Sequence, residues 1–528
     1  MAPQGADALA AGRTALGIEL GSTRIKACLI DSDTSEVLAV GSHAWENAYV
    51  DGLWTYSLED VWAGLQGAYA ALVADAEAKH GIAPTTYGAI GVSAMMHGYL
   101  AFDEVGEILV PFRTWRNTNT GRAAAALTEA FGVNIPLRWS IAHLHQAVLD
   151  AEPHVLQVDF FTTLAGYVHW RLTGEKVLGI GDASGMFPID SATRDYDATL
   201  IERYNGLLGD HGIDVAGLLP RVLVAGEQAG TLTPEGAALL DPTGALQTGI
   251  PVAPPEGDAG TGMVATNAVA PRTGNVSAGT SIFAMVVLEH ALAKVHEEID
   301  LVTTPAGDAV AMVHCNNGAS ELGAWASLFT RFAEASGSPA DADAVFATLL
   351  TEALSAEPDA GGLLAYNTLA GEPIADLPEG RPLVVRTPDS RFTLANFMRA
   401  QVYGVFGTLS LGMEVLAGEQ VALDKMFAHG GIFRTAGVAQ RFLAAAVGAP
   451  VAVGETASEG GAWGMAVLAG FVAAPEGTDL THYLDEHVFA DAPVTVVDPD
   501  PADVAGYHAY LDRYRDGLAI ERAAASAI

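Results

Sequence analysis

Two glycine-punctuated segments in opposite halves of the chain constrain its fold more than any other feature. The first is Gly17-Ile-Glu-Leu-Gly-Ser-Thr-Arg-Ile-Lys-Ala27, followed by the apolar run Cys28-Leu-Ile30. The second is Gly274-Asn-Val-Ser-Ala-Gly-Thr-Ser-Ile-Phe-Ala-Met-Val-Val287. Each predicts a strand, a tight turn and a second strand. The turns, Gly21-Ser22-Thr23 and Gly279-Thr280-Ser281, offer backbone N–H groups and hydroxyls to an anion. One such turn is an ordinary hairpin tip. Two favour a duplicated fold that holds a nucleotide's phosphates between its lobes.

A chain of 528 residues, half of them hydrophobic, has the length and apolar material for two domains. The net charge of −37, with only five lysines, argues against nucleic-acid binding and against docking on an anionic membrane. A bound nucleotide therefore has to rely on local N–H groups and a divalent cation against the global field. Cys28 and Cys315 both lie in apolar strand-like context and read as small core residues in a reducing compartment. The first twelve residues lack a basic, then apolar, leader pattern, and no apolar run reaches membrane-spanning length. The expectation is a cytoplasmic protein.

Along the first half, Val37 to Ser42 predicts a strand, and Ser57-Leu-Glu-Asp60 opens a helix through a capping box. Val61, Trp62, Leu65, Tyr69, Leu72 and Val73 continue at helical spacing to a C-cap near Gly81. Tyr87 to Ser93 returns as a strand. The Pro- and Gly-rich stretch Pro251 to Asp258 reads as a hinge, dividing an N-terminal lobe, 13–265, from a C-terminal lobe, 266–528. In the second half, Ala309 to His314 predicts a strand and Thr393 to Leu416 a long helix. Further helices begin near Thr435 and Ser458, and the tail from Pro501 is helical.

Phosphoryl transfer needs a phosphate cradle, a divalent cation and a base for the attacking hydroxyl. Glu19, on the strand entering the first turn, is placed to hold Mg²⁺ through water, or is simply a strand acid facing solvent. Asp258 in Gly257-Asp258 is the candidate base, although Gly-Asp alone is a common turn pair. His97 in Met95-Met96-His97-Gly98 follows a strand end, where open α/β sheets place ligands. Trp115, Arg116, Asn117 and Asn119 suit sugar hydroxyls or a solvated loop equally. Gly430-Gly431 permits close approach of a nucleobase, with the run from Gly460 to Gly464 as the opposite wall or as a helix-packing surface.

These segments, taken in order, resemble the FGGY family of carbohydrate kinases. Gly17 to Lys26 is similar to the family's first phosphate motif and Gly274 to Ser281 to the second. Trp170-Arg-Leu-Thr-Gly174 with Gly181-Asp-Ala-Ser-Gly185 resembles the central stretch, Gly257-Asp258 the catalytic aspartate, and Gly430-Gly431 with Gln440 to Ala444 the adenosine motif. The resemblance implies an α/β fold of two ribonuclease-H-like, actin-like ATPase lobes with an interlobe cleft, the 13–265 lobe sugar-binding and the 266–528 lobe nucleotide-binding. It implies ATP and Mg²⁺, with Gly21, Ser22, Thr23, Lys26, Gly279, Thr280, Ser281, Gly430 and Gly431 at the nucleotide. Asp258 is then the catalytic base and, with Glu19, a water-mediated cation ligand.

Met96-His97-Gly98 is similar to the Met-His-Gly of xylulose kinases. That implies a pentulose such as D-xylulose as acceptor, touched by Met96, His97, Trp115, Asn117 and Asp258. Four departures stand out. Glu19 replaces the usual Asp, and Trp115-Arg-Asn-Thr-Asn119 replaces Trp-x-Asp-x-Arg. Tyr56-Ser57 stands where many members carry Glu-Gln, and Ala259 follows the base. A kinase of the L-ribulose, gluconate or glycerol type, and a non-catalytic nucleotide-binding regulator, stay open at this stage. So does a homodimer.

Overall fold

The computed structural model describes residues 4–209, 213–454 and 460–527. They divide into two compact units. The first holds the residues up to Val269, Leu301–Val310 and the described residues from 460 to Ala492. The second holds Ala270–Asp300, the described residues from Ala311 to 454, and those from Pro493 onward.

The first unit is built on β1 (Thr14–Leu20), β2 (Arg24–Asp31) and β3 (Val37–Ala44), an antiparallel meander with the expected turn at 21–23. Next comes α1 (Leu58–His80), which starts where Ser57 Oγ accepts the Asp60 N–H at 3.0 Å. It ends at Gly81, whose φ of 72° lets its N–H reach Glu77 O. Val61, Leu65, Tyr69 and Leu72 are buried against the sheet. The next strand, β4 (Ala89–Ala94), runs parallel to β1. A single helical turn, α2 (Ile180–Ala183), lies ahead of β5 (Glu256–Gly257), which runs parallel to β4. The sheet order is β5-β4-β1-β2-β3.

One expectation fails here. The stretch 251–258 is not a hinge: Val252 bridges to Ile90, β5 is a strand of the sheet, and Val252, Ala253 and Glu256 are buried. Asp258 instead opens α3 (Asp258–Ala265). Proline is tolerated at this sheet edge, so the composition that suggests a linker marks an edge strand.

The second unit repeats the plan. It has β6 (Thr273–Ala278) and β7 (Ile282–Val287) as an antiparallel hairpin with its turn at 279–281, then β8 (Ala309–Cys315) and α4 (Ser320–Ala335). The long helix α5 (Leu394–Gly418), capped by Thr393, precedes β9 (Lys425–His429), parallel to β6, and β10 (Val451–Gly454), parallel to β9. With β11 (Val494–Val497), six of the seven strands of this sheet run in the order β8-β7-β6-β9-β10-β11. Each unit thus carries a hairpin followed by two parallel strands on the same side. The C-terminal helix Pro501–Ala527 buries Tyr507, Tyr510, Leu511, Tyr514 and Leu518, and both cysteines are buried and outside any disulfide.

The chain re-enters the first unit in α6 (Gly460–Phe471); Ser458, where a helix start is expected, lies outside the described residues. This return makes the first unit discontinuous in sequence. Its cause is packing: a Cβ on Gly17 of β1 would lie 2.1 Å from Ala462 O and 2.3 Å from Ala466 N. The central strand and α6 touch backbone to backbone, which only a glycine at that point allows.

Candidate active site

The first turn is held from behind. Trp45 Nε1 donates to Gly21 O at 2.7 Å, Tyr56 OH to Ser22 O at 2.6 Å, and Trp45 N to Thr23 O at 3.1 Å. The Trp45 and Tyr56 rings stack at 4.2 Å. Burial pushes the Tyr56 phenol up to about 12, so it remains a neutral donor. Thr23 stays exposed and Ser22 half-buried, while Lys26 sits opposite Glu19 across β1 and β2. Tyr56 therefore fixes the turn and Ser57 caps α1, which accounts for that departure from the family pattern.

Asn117 is also committed. Its Oδ1 accepts Trp54 N at 2.8 Å, and its Nδ2 donates to Trp54 O at 2.8 Å and Thr114 O at 3.0 Å. The side chain ties the Leu53–Thr55 strand to the 114–117 loop and is 4% exposed. Trp115 packs on the unit's core, and Arg116 covers the Trp54 ring at 3.8 Å.

The segments after β4 and β5 meet because these strands run side by side, with Gly257 opposite Ala94. Met95 to Gly98 and Asp258 therefore leave the sheet at the same edge. The Met96 N–H donates to Asp258 Oδ1 at 3.2 Å. His97 has φ 68°, the left-handed region that costs a side-chain-bearing residue on the order of 1 kcal/mol. Its ring is held by Nδ1 against Gly185 O at 3.2 Å and by stacking on Trp139 at 6.4 Å. A strained residue pinned on both sides beside a carboxylate is a marker of a working site. Asp258 begins α3, where the helix dipole favours a negative charge. Desolvation nevertheless wins over the amide hydrogen bonds and pushes its carboxyl up to about 6.

Two further carboxyls lie behind it, Asp182 and Glu256, 1% and 2% exposed. Thr163 Oγ1 donates to Asp182 Oδ2 at 2.6 Å, while Glu256 accepts the N–H groups of Gly181 at 3.3 Å and Asp182 at 3.0 Å. Burial, reinforced by the other acids nearby, pushes both well above the ordinary carboxylate range. Sequence reasoning missed Glu256. A Glu next to two prolines in an otherwise apolar run is the available signal.

A carboxyl raised by folding contributes stability that is complete below its unfolded value, about 4.3 for Glu. That stability is lost as pH rises through the folded value. Glu256→Gln removes one such group. The variant's melting temperature relative to the native chain rises steadily from about pH 5 to 8.5 in metal-free buffer. A difference independent of pH would show that Glu256 carries no buried proton.

Glu19 stands in register with Ser93 of β4, which itself faces Glu256. A Cβ on Gly461 would lie 2.3 Å from Glu19 Oε1 and 2.9 Å from Thr261 Oγ1. The carboxylate therefore lies where α6 begins, beside α3. Among the described residues no three His, Cys, Asp or Glu side chains form a metal cage. Glu19 on β1 and Asp258 just after β5, with β4 between them, are carboxylates of the kind that hold Mg²⁺ through water.

In the second unit, Gly279 N donates to Ser281 O at 2.9 Å, and Gly279 and Thr280 are exposed. The turn is braced by the loop after β8, through Gly318 N to Thr280 O at 2.7 Å and Ala319 N to Gly279 O at 2.8 Å. That loop is held in turn by Asn367 Nδ2 on Asn317 O and Gly318 O, and by Asn317 Nδ2 on Glu372 Oε2 at 3.0 Å. Asn317, Asn367 and Glu372 escaped the sequence reading because each acts on backbone distant in sequence.

Gly430 and Gly431 are exposed where β9 ends, next to the end of β6. At Gly430, φ is 119° and a Cβ would meet Ala278 O at 2.1 Å, so glycine is obligatory there. Gly461 and Gly464 of α6 serve packing, since a Cβ on Gly464 would lie 2.1 Å from Thr261 O, whereas a Cβ on Gly460 would meet nothing within 4 Å.

Residues 14–265 and 274–473 match the N-terminal and C-terminal domain models of the FGGY family of carbohydrate kinases. A xylulose kinase from Streptomyces rubiginosus is 28% identical over 42% of this chain and 45% of its own length. One from Escherichia coli K12 is 25% identical over 53% and 55%. The chain thus spans about half the length of the curated relatives it matches. Among solved structures, xylulose kinase from Rhodospirillum rubrum superimposes with a TM-score of 0.77 at 22% identity, over 96% of this chain and 99% of that one. Gluconate kinase from Lactobacillus acidophilus gives 0.77 at 18%, over 97% and 98%. At these identities the likeness establishes the fold, the two-lobed architecture of actin-like ATPases.

Proposed function

The chain belongs to the FGGY family of carbohydrate kinases, and we propose that it transfers the γ-phosphoryl group of ATP to a terminal hydroxyl of a ketose, first among them a pentulose such as D-xylulose. The observation that carries this reading is the Met96 N–H held by Asp258 Oδ1, which couples the candidate base to the residue preceding His97. Asp258 takes the proton of the acceptor hydroxyl. Its raised pKa brings it closer to a working base at neutral pH than an ordinary aspartate. Met96 and His97 line the acceptor, and Trp115 closes one side. Asn117 contributes by fixing Trp54 rather than by touching sugar, because its amide is spent on backbone. ATP is held in the second unit by Gly279, Thr280 and Ser281 and by Gly430 and Gly431. Gly21, Ser22, Thr23 and Lys26 belong to the same phosphate machinery. Mg²⁺, held through water by Glu19 and Asp258, would neutralise charge on the phosphates. Among the described residues no helix is long and apolar enough to cross a membrane; a cytoplasmic location belongs to this proposal.

The test is ADP release by purified protein with Mg·ATP against ketopentoses, ketohexoses, polyols and gluconate. The largest stimulation is expected from D-xylulose or another ketopentose. Stronger stimulation by gluconate or glycerol would replace the substrate. No stimulation by any sugar, with ATP still bound, would overturn the kinase reading.

A further inference from the structure

The turn at 279–281 is aimed by what grips its carbonyls. Gly279 O accepts the Ala319 N–H at 2.8 Å, and Thr280 O accepts the Gly318 N–H at 2.7 Å. A trans peptide is planar, with its C=O and the following N–H on opposite sides. Holding these two carbonyls on the loop after β8 therefore turns the N–H groups of Thr280 and Ser281 away from that loop. Gly279 and Thr280 are exposed. Two successive N–H groups pointing the same way form a concavity for an anion.

The loop cannot shift without moving the turn. A Cβ on Gly318 would lie 2.5 Å from Gly279 O and 2.6 Å from Ser281 O, so the two backbones are in contact. Asn317, just before this contact, is fixed at both ends of its side chain. Its Oδ1 accepts the N–H groups of Leu369 at 2.8 Å and Ala370 at 2.9 Å. Its Nδ2 donates to Ala370 O at 3.1 Å and to Glu372 Oε2 at 3.0 Å. The Asn317 backbone N–H donates to the same Glu372 oxygen at 3.3 Å. Asn367 Nδ2 holds the far side, on Asn317 O at 3.2 Å and Gly318 O at 2.7 Å. Asn317, Asn367 and Glu372 are all buried.

We infer that Glu372, acting through Asn317, is the positioning residue that sets how tightly the phosphates of ATP are held in the second unit. The inference rests on the ATP reading given above. Through one oxygen, Glu372 fixes both the backbone and the side chain of the residue that carries the loop into the turn. Being fully buried behind that loop, it acts on the phosphates through the aim of the Thr280 and Ser281 N–H groups. An acceptor oxygen is what the position requires, because without it a buried N–H loses its partner. The adenosine end of the ligand, at Gly430 and Gly431, draws on a different strand end.

Equilibrium binding of Mg·ATP and, separately, of adenosine to the full chain reads the phosphate contribution apart from the base. Glu372→Met keeps the length of the side chain and removes its oxygens. It should weaken Mg·ATP binding about tenfold and leave adenosine binding within about twofold. Its KM for ATP should rise in step, with kcat and the KM for sugar close to native. Glu372→Gln keeps an acceptor oxygen and should restore Mg·ATP affinity to within about threefold of native. Asn367→Ala loosens the loop from its other side, should show the same split, and guards against misfolding of the methionine variant. Native Mg·ATP affinity in the folded Glu372→Met and Asn367→Ala variants would overturn the inference and leave the ATP reading intact. Equal losses for Mg·ATP and adenosine would also overturn it, by showing general damage to the unit. A native chain that binds no Mg·ATP would overturn the ATP reading and this inference with it.

Discussion

Asp258→Asn lowers kcat by about 10²–10⁴ while the protein stays folded and still binds ATP. The substitution keeps size and an oxygen that can accept the Met96 N–H, now at 3.2 Å from Oδ1. The start of α3 and the strained conformation of His97 should therefore survive. What disappears is a group that can accept a proton from the sugar hydroxyl. Stability moves the other way from activity. Burial has raised the native carboxyl to about 6, so above that pH the folded state carries a desolvated charge that the unfolded chain holds at less cost. The amide carries none, and the variant should melt at or above the native temperature at neutral pH. Steady-state kinetics with saturating sugar and ATP, beside calorimetry, separate the two effects. A kcat within about threefold of native would remove Asp258 as base, and a fall in both activity and melting temperature would show damage to the sheet edge instead.

The parts of this molecule legible in the sequence are those whose cause is local. The two turns, the Ser57 cap, the Gly81 stop and the Thr393 start each depend on residues within a few positions, and the structure has them where the sequence puts them. The unread parts act across distance. Asn117 looks like a sugar ligand in its loop, yet its partner is the backbone of Trp54, 63 residues earlier. Glu256 and Asp182 meet across 74 residues. The edge strand at 256–257 hides under a proline-rich composition that usually means a linker. Nothing within 251–258 reveals that β4 lies alongside, so the sheet is visible only once β4 is in place. The same holds for α6, whose glycines read equally well as a nucleobase wall until β1 is set against them.

That last contact yields the largest expected loss of stability. Gly17→Val places a branched side chain where a single Cβ already lies 2.1 Å from Ala462 O and 2.9 Å from Ala466 Cα. Both obstacles are backbone atoms of a helix whose residues 461 to 469 are all buried, so no flexible side chain can swing aside. Either β1 or α6 has to move, and α6 also bears on Thr261 of α3 through Gly464. The strain therefore spreads to the helix that begins with Asp258. Overpacking of this kind costs about 3 kcal/mol or more. For a unit of this size that lowers the first unit's calorimetric transition by roughly 5 °C. Gly470→Ala in the same helix is the matched control. Its nearest neighbours would stand 3.6 Å and 3.7 Å away, and an alanine there should be neutral or slightly stabilising. Equal melting temperatures for the two variants would mean that α6 rests on β1 more loosely than backbone contact requires. The assignment of α6 to the first unit would then lose its physical basis.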